Sequence, residues 1–396
     1  MNTSRPEHDL LVAIARRQLD SGDVDQLRRL AKLDIDWQYL LLTARQHGLI
    51  PLLHKHLNKA VSNLLPGKVR TKLKQESVAN TQSILYLVGQ AIKVDTLFRE
   101  NGIPTAIFKG PILSQLVYDE MSLRQAGDID VLIGREHFNR AKELLESLGF
   151  QMVPKLTSAQ QAAHVAFHCE IQFVRDDWFT VVDLHWDLTP RSFVFGMSGE
   201  EVMSRLQTVS LAGSQIETFC AEDLLLYQAM HGAKHLWRWF EAISSVAELV
   251  KTIEPSAWSR VIDQAVKAHA TKMLGLALRL AELIFEVTPP ENVLLALDRN
   301  RVMAELAEKV RDELFTTQNR LSDSTDTNLY NLKIMDRRRD AVLSSLRAFF
   351  VPTLSDWTAL SLPSSLHPLY YAIRPLRLSK VYSASLLRRL TNKPAS

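Results

Sequence analysis

The sequence predicts an α+β protein in which a small unit of strands and helices, residues 101–190, is embedded between N-terminal and C-terminal helical regions. Three observations carry that expectation. Apolar residues recur at helical spacing before residue 100 and again after Ala221. Short β-branched runs bounded by turn residues cluster between Ile103 and Trp186. One of those runs, Gly127-Asp128-Ile129-Asp130-Val131-Leu132-Ile133, carries two carboxylates at alternate positions of an otherwise apolar strand.

The N-terminal region, 1–100, reads as helix. Leu10, Leu11, Ile14, Ala15 and Leu19 make one apolar face, which Leu27, Leu30 and Leu33 continue after a break at Ser21-Gly22. Ile84, Leu87, Val88, Ile92, Leu97 and Phe98 define a long amphipathic helix over Gln75 to Asn101, stopped by Gly102 and Pro104. Within 101–190 the order is a strand at Ile103 to Phe108, a helix at Ile112 to Tyr118, a loop at Asp119 to Gly127 and a strand at Asp128 to Ile133. A helix at Glu136 to Ser147 closes on Gly149, and strands at Val165 to Val174 and Phe179 to Trp186 are joined by Arg175-Asp176-Asp177. Residues 191–315 read as a helical domain, with a helix start at Glu222-Asp223 and a break at Val287-Thr288-Pro289-Pro290. A polar loop, 316–335, precedes a basic C-terminal helical segment, 336–396, punctuated by Pro352, Pro363, Pro368 and Pro375.

A net charge of +3 makes the molecule only mildly basic and does not by itself suggest a nucleic-acid or membrane protein. The basicity is uneven, because no acidic residue follows Asp356 while Arg374, Arg377, Lys380, Arg388, Arg389 and Lys393 do. Two cysteines without CxxC spacing, Cys169 and Cys220, argue against a disulfide framework or a structural zinc site. The N-terminus lacks the apolar core of a signal peptide, and no stretch approaches the roughly 18 apolar residues of a membrane span. The expectation is a soluble cytoplasmic protein.

On an extended strand, Asp128 and Asp130 emerge on the same face, about 6.5–7 Å apart at Cα. Two like charges there are costly to bury unless a divalent cation, or a pair of them, sits between. The plainer alternative, a solvent-facing edge strand, fits poorly with the apolar Ile129, Val131, Leu132 and Ile133 beside them. Asp183, in Val181-Val182-Asp183-Leu184-His185-Trp186, offers a third carboxylate with His185 on its face, and Glu170 on the preceding strand competes with it. Lys109-Gly110 ends the first strand and opens a helix, a junction at which backbone and ammonium can meet phosphate. Two roles fit Arg124: neutralising phosphate or pairing with Asp128. In His231-Gly232-Ala233-Lys234-His235-Leu236-Trp237-Arg238-Trp239 the HxxxH spacing lacks the glutamate of a zinc protease. That helix either packs its aromatics on the strand unit or also turns His231, Lys234 or His235 to a cleft. Tyr370 to Arg377 mixes aromatics with cations, and a tail covering its own helical region suits it better than a nucleic-acid surface.

Taken together, Ile107-Phe108-Lys109-Gly110, Leu123 to Leu132, Val182 to Trp186 and His231 to His235 resemble the bacterial "uncharacterised nucleotidyltransferase" group of the DNA polymerase β-like nucleotidyltransferase superfamily. The resemblance covers about 75 to 250. It implies a small mixed-sheet core whose first strand ends in a phosphate-gripping turn, whose second carries the metal aspartates, and to which a later strand adds a third. It also implies transfer of a nucleoside monophosphate from an NTP to an acceptor (small molecule, protein or RNA), with pyrophosphate released. On this reading Asp128, Asp130 and Asp183 are catalytic and hold two Mg²⁺ ions, and Lys109, Gly110, Arg124, His185 and Lys234 bind the nucleotide. Two departures stand out: Lys-Gly replaces the Gly-Ser turn usual in the superfamily, and Ala242-Ile243-Ser244-Ser245-Val246 lacks an expected acid. The competing functions are a non-catalytic nucleotide-binding or scaffold module, and a toxin that modifies tRNA or protein.

Overall fold

The alternation along Asp128–Ile133 sorts the sheet into a wet face and a dry one. In the computed structural model, which describes residues 5–175, 180–297, 301–315, 330–360 and 362–379, five strands form one mixed sheet in the order β1-β2-β5-β4-β3. They are β1 (Thr105–Ile107), β2 (Asp128–Ile133), β3 (Gln151–Val153), β4 (Glu170–Arg175) and β5 (Thr180–His185). β2 runs antiparallel to β1 and parallel to β5, and β4 is antiparallel to both β5 and β3.

Register decides what shares a face. Asp130 stands beside Asp183, and Leu132 beside His185. Across the next ladder, Gln172 opposes Asp183 and Glu170 opposes His185. Because side chains alternate, these polar residues occupy one face with Asp128. Ile129, Val131, Ile133, Ile171, Phe173, Val182 and Leu184 point the other way, into a core shared with Ile84, Leu87, Val88, Ala91, Val94 and Phe98 of the long helix Gly67–Glu100. That helix starts eight residues earlier than its apolar pattern suggests, directly after Pro66.

A second core joins the N-terminal helices to those that follow the sheet. Leu10, Leu11, Leu40 and Leu53 lie in one cluster with Leu225, Phe240, Ile243, Leu274 and Leu278. Tyr118 and Ser244 hydrogen-bond within it, and Ser244 Oγ donates to the Ala15 carbonyl at 2.9 Å. The helix Gly110–Tyr118, carrying the turn after β1, is thereby fixed to the helix Phe240–Thr252. The two sides of the polar sheet face belong to one packed body.

Several elements differ from the sequence expectation. Residues 165–167 are helical, not strand: Thr157 and Gln160 form a capping box that starts a helix at Ser158 and carries it to Phe167, so β4 begins at Glu170. The region 191–315 is not purely helical. β6 (Gln207–Leu211) and β7 (Ser214–Thr218) form a hairpin whose turn places Ala212 and Gly213 at positive φ, and whose Leu211 and Ile216 extend the core beneath the sheet. Of the expected polar loop, 316–329 lies outside the described residues, whereas 330–334 are helical with Tyr330 and Ile334 buried. Lys380, Arg388, Arg389 and Lys393 also lie outside them. Arg374 and Arg377 do not present a free basic surface, because both pair with the buried Asp356, at 2.5 and 2.6 Å. Among the described residues no helix is long and apolar enough to cross a membrane.

Candidate active site

Lys109, two residues beyond β1, is extended and stands at the N-cap position of the helix Gly110–Tyr118. Gly110 sits at φ +54°, a backbone setting that favours glycine, and a β-carbon there would meet only ordinary contacts. Its conformation, rather than crowding, explains the residue. Pro111 then occupies the first turn, where its missing N–H costs nothing.

From this turn Lys109 reaches back over β2. Its Nζ donates to Asp130 Oδ1 at 2.7 Å and lies 5.4 and 5.5 Å from the ring centres of Phe108 and Tyr227. Burial opposes the ammonium charge, but Asp130 and the Tyr227 hydroxyl outweigh it and hold the Lys109 pKa well above its ordinary value. The same Asp130 oxygen lies 3.0 Å from His185 Nε2, whose other ring nitrogen is 3.1 Å from Glu170 Oε2. Phe108 meets the His185 ring edge-on at 5.1 Å. Against the cost of burial, Lys109 and His185 keep the Asp130 carboxyl well below the usual carboxylate range.

Its two neighbours fare differently. Burial, then the charges of Asp130 and Asp183, push Asp128 up to about 6, with Lys109 and His185 only partly offsetting them. Burial and Asp130 likewise raise Asp183. One Asp183 oxygen, Oδ1, is buried with no hydrogen-bond partner. Asp130, Asp183 and His185 bring ligand atoms within 4.8 Å of one another. An orphaned buried carboxylate oxygen, a second carboxylate destabilised by burial and by like charge, and a donor set dominated by hard oxygens all fit a divalent cation such as Mg²⁺.

Beside these groups opens a cleft of about 450 Å³, lined by Lys109, Gly110, Arg124, Asp128, Asp130 and, from other elements, Arg45, Gln46, Gln228, His231, Trp239 and Glu241. Its volume suits a small-molecule substrate. Asp183, His185 and Lys234 are not among its lining residues. Lys234 contributes at longer range: with His185, its charge holds Glu170 below the usual carboxylate range despite burial.

Over residues 34–286, well over half its length, the chain matches the family described as "Uncharacterised nucleotidyltransferase". The chain belongs to this family. No curated protein matches it. A solved structure, the solution structure of the antibiotic-resistance factor ANT(2'')-Ia, is similar to it at 13% identity and a TM-score of 0.32, over 45% of this chain and 90% of that one.

Within this family member, Arg124 does not pair with Asp128. Its Nε and Nη2 both go to one oxygen of Glu241, while Nη1 is buried without a partner at the cleft wall. Glu241 is the acid that the sequence reading missed. It lies one position before the Ala242–Val246 stretch where an acid was sought, and no local pattern betrays a partner 117 residues away. Gly48 packs against it so closely that a β-carbon there would collide with Glu241 Oε2. Arg45, Gln46 and Gln228 were missed for the same reason. For Trp239 a signal was present, since Tyr227, His231, His235 and Trp239 recur every four residues.

Proposed function

We propose that the chain transfers a nucleoside monophosphate from an NTP to an acceptor, with two Mg²⁺ ions held by Asp128, Asp130 and Asp183. The acceptor's nucleophilic oxygen forms a bond to the α-phosphorus as the bond to the bridging oxygen breaks, and pyrophosphate departs. One observation carries the reading: the register pairs Asp130 with Asp183 on the sheet face that Asp128 shares, next to the Lys109-Gly110 helix start. When bound, the cations supply charge neutralisation for the triphosphate and polarise the reacting oxygens.

The chain's own residues do the rest. Lys109 and the free Nη1 of Arg124 meet phosphate oxygens, and backbone N–H groups at the start of the helix Gly110–Tyr118 favour the same anion. His185 fixes the orientation of Asp130 from behind. Asp183, whose Oδ1 is buried without a hydrogen-bond partner, would also take the acceptor's proton. The test is Mg²⁺-dependent incorporation of label from α-labelled NTP into cell extract, in wild type and in Asp130→Asn and Asp183→Asn. Loss by orders of magnitude in both variants is expected, and turnover at the wild-type rate in either overturns the assignment.

A nucleotide-binding module without turnover is the second reading. The observation favouring it is the ammonium of Lys109 sitting on Asp130 Oδ1. Calorimetry that finds nucleotide binding, alongside no label transfer from any of the four NTPs, supports it against the first.

A further inference from the structure

Four rings climb out of the site along one side of the helix Ala221–Lys234 and the turn after it. Tyr227 and His231 stack with centres 5.8 Å apart, His231 and His235 follow at 4.5 Å, and His235 and Trp239 at 5.7 Å. The lower end of this ladder is Tyr227, which holds Lys109 over Asp130. The upper end is Trp239, which lines the cleft and keeps 44% of its surface exposed. Trp186, Trp237, Trp258 and Trp357 are all buried. A large, flat, apolar side chain left open at the mouth of a polar cleft gains most from a planar partner laid on it.

The two ends differ in chemistry. Lys109, Gly110 and Arg124 make the inner wall suited to phosphates, whereas His231 and His235 are kept neutral, chiefly by burial and then by nearby cations. The outer end therefore offers rings without charge, and Trp239 lines the same cleft as Lys109. The cleft joins the two ends, since Asp128, Asp130 and Trp239 all line it.

From this arrangement, and resting on the nucleotidyl-transfer reading above, we propose that Trp239 is the platform on which the base of the nucleoside triphosphate stacks. Calorimetry with Mg²⁺ and the α,β-methylene analogues of ATP, GTP, CTP and UTP tests it, with inorganic tripolyphosphate as the probe that has phosphates but no base. Trp239→Ala is expected to weaken the tightest analogue roughly 5- to 150-fold, the usual scale for losing one base–aromatic stack. Tripolyphosphate affinity should stay unchanged, and Trp239→Phe should recover most of the loss. Equal analogue binding in Trp239→Ala and wild type overturns the platform and leaves the nucleotide reading standing. So does an equal loss for tripolyphosphate, or a Phe variant as weak as Ala. A wild-type protein that binds no analogue at all overturns both.

Discussion

In the absence of divalent cations, Asp128→Asn is expected to stabilise the fold while it abolishes nucleotidyl transfer. The magnitude follows from the raised pKa of Asp128, about 6 against an ordinary 3.8. At roughly 1.4 kcal/mol per pH unit, the ionised carboxylate costs the folded state about 3 kcal/mol above pH 6. The sign is that of an acid harder to ionise when folded. The penalty is complete above about pH 6, shrinks as pH falls, and is gone below about pH 4, where both states hold the proton. Allowing for partial solvent screening, the variant should gain about 2–3 kcal/mol at pH 8 in EDTA and almost nothing at pH 4. Urea denaturation at the two pH values measures it, and added Mg²⁺ should then stabilise wild type far more than the variant. Asp130→Asn is the control with the opposite sign, because it strands the buried ammonium of Lys109 and should lose stability. A variant no more stable than wild type at pH 8 in EDTA refutes the claim that burial and like-charge crowding burden Asp128.

Two further outcomes are expected. Glu241→Gln leaves the guanidinium of Arg124 without its counter-charge and should cost about 3–5 kcal/mol, read as a lowered urea midpoint. In the double variant Arg124→Met, Glu241→Gln that loss should be largely recovered, and a strictly additive double variant refutes the pairing. His47 is pushed down to about 4, first by burial and then by His8, and its Nδ1 accepts the Phe240 N–H at 3.3 Å. Its contribution is complete above pH 6.5 and is lost as pH falls towards 4, so His47→Gln should remove about 2 kcal/mol of acid sensitivity between pH 7 and 4.5. Parallel stability curves for variant and wild type over that range would refute it.

The sequence carried the sheet face better than its edges. β2 was legible residue for residue because a period-two pattern with two charges has a single self-consistent burial. β5 and the third aspartate were legible for the same reason. What failed was local competition: the run Val165–Phe167 looks like strand until the Thr157–Gln160 cap, several residues upstream, is counted as a helix start. The hairpin Gln207–Thr218 was hidden by the helical context around it, although its alternation is plain once isolated. In the site, Lys109, Asp128, Asp130 and His185 could be grouped from their order along the chain. Arg124's partner could not, because a buried ion pair between a loop and a distant helix leaves no periodicity to read. Trp239 lay between the two: its spacing was visible, but its exposure was not.

The replacement of a Gly-Ser turn by Lys109-Gly110 makes physical sense once charges are followed through the site. Four carboxylates, those of Asp128, Asp130, Asp183 and Glu170, share one sheet face, and a Gly-Ser turn would leave them without the ammonium at position 109 as a fixed cation. Lys109 supplies one, and its effect is selective: with His185 it depresses Asp130, while Asp128 and Asp183 stay raised. The cost of burial and the residual repulsion therefore fall on Asp128 and Asp183, the two aspartates that Lys109 does not contact. Those are also the groups with most to gain from an added cation, since one of them keeps a buried oxygen with no partner. A lysine in this turn thus lets the strand fold with its charges buried, and it leaves the attraction for metal concentrated on Asp128 and Asp183.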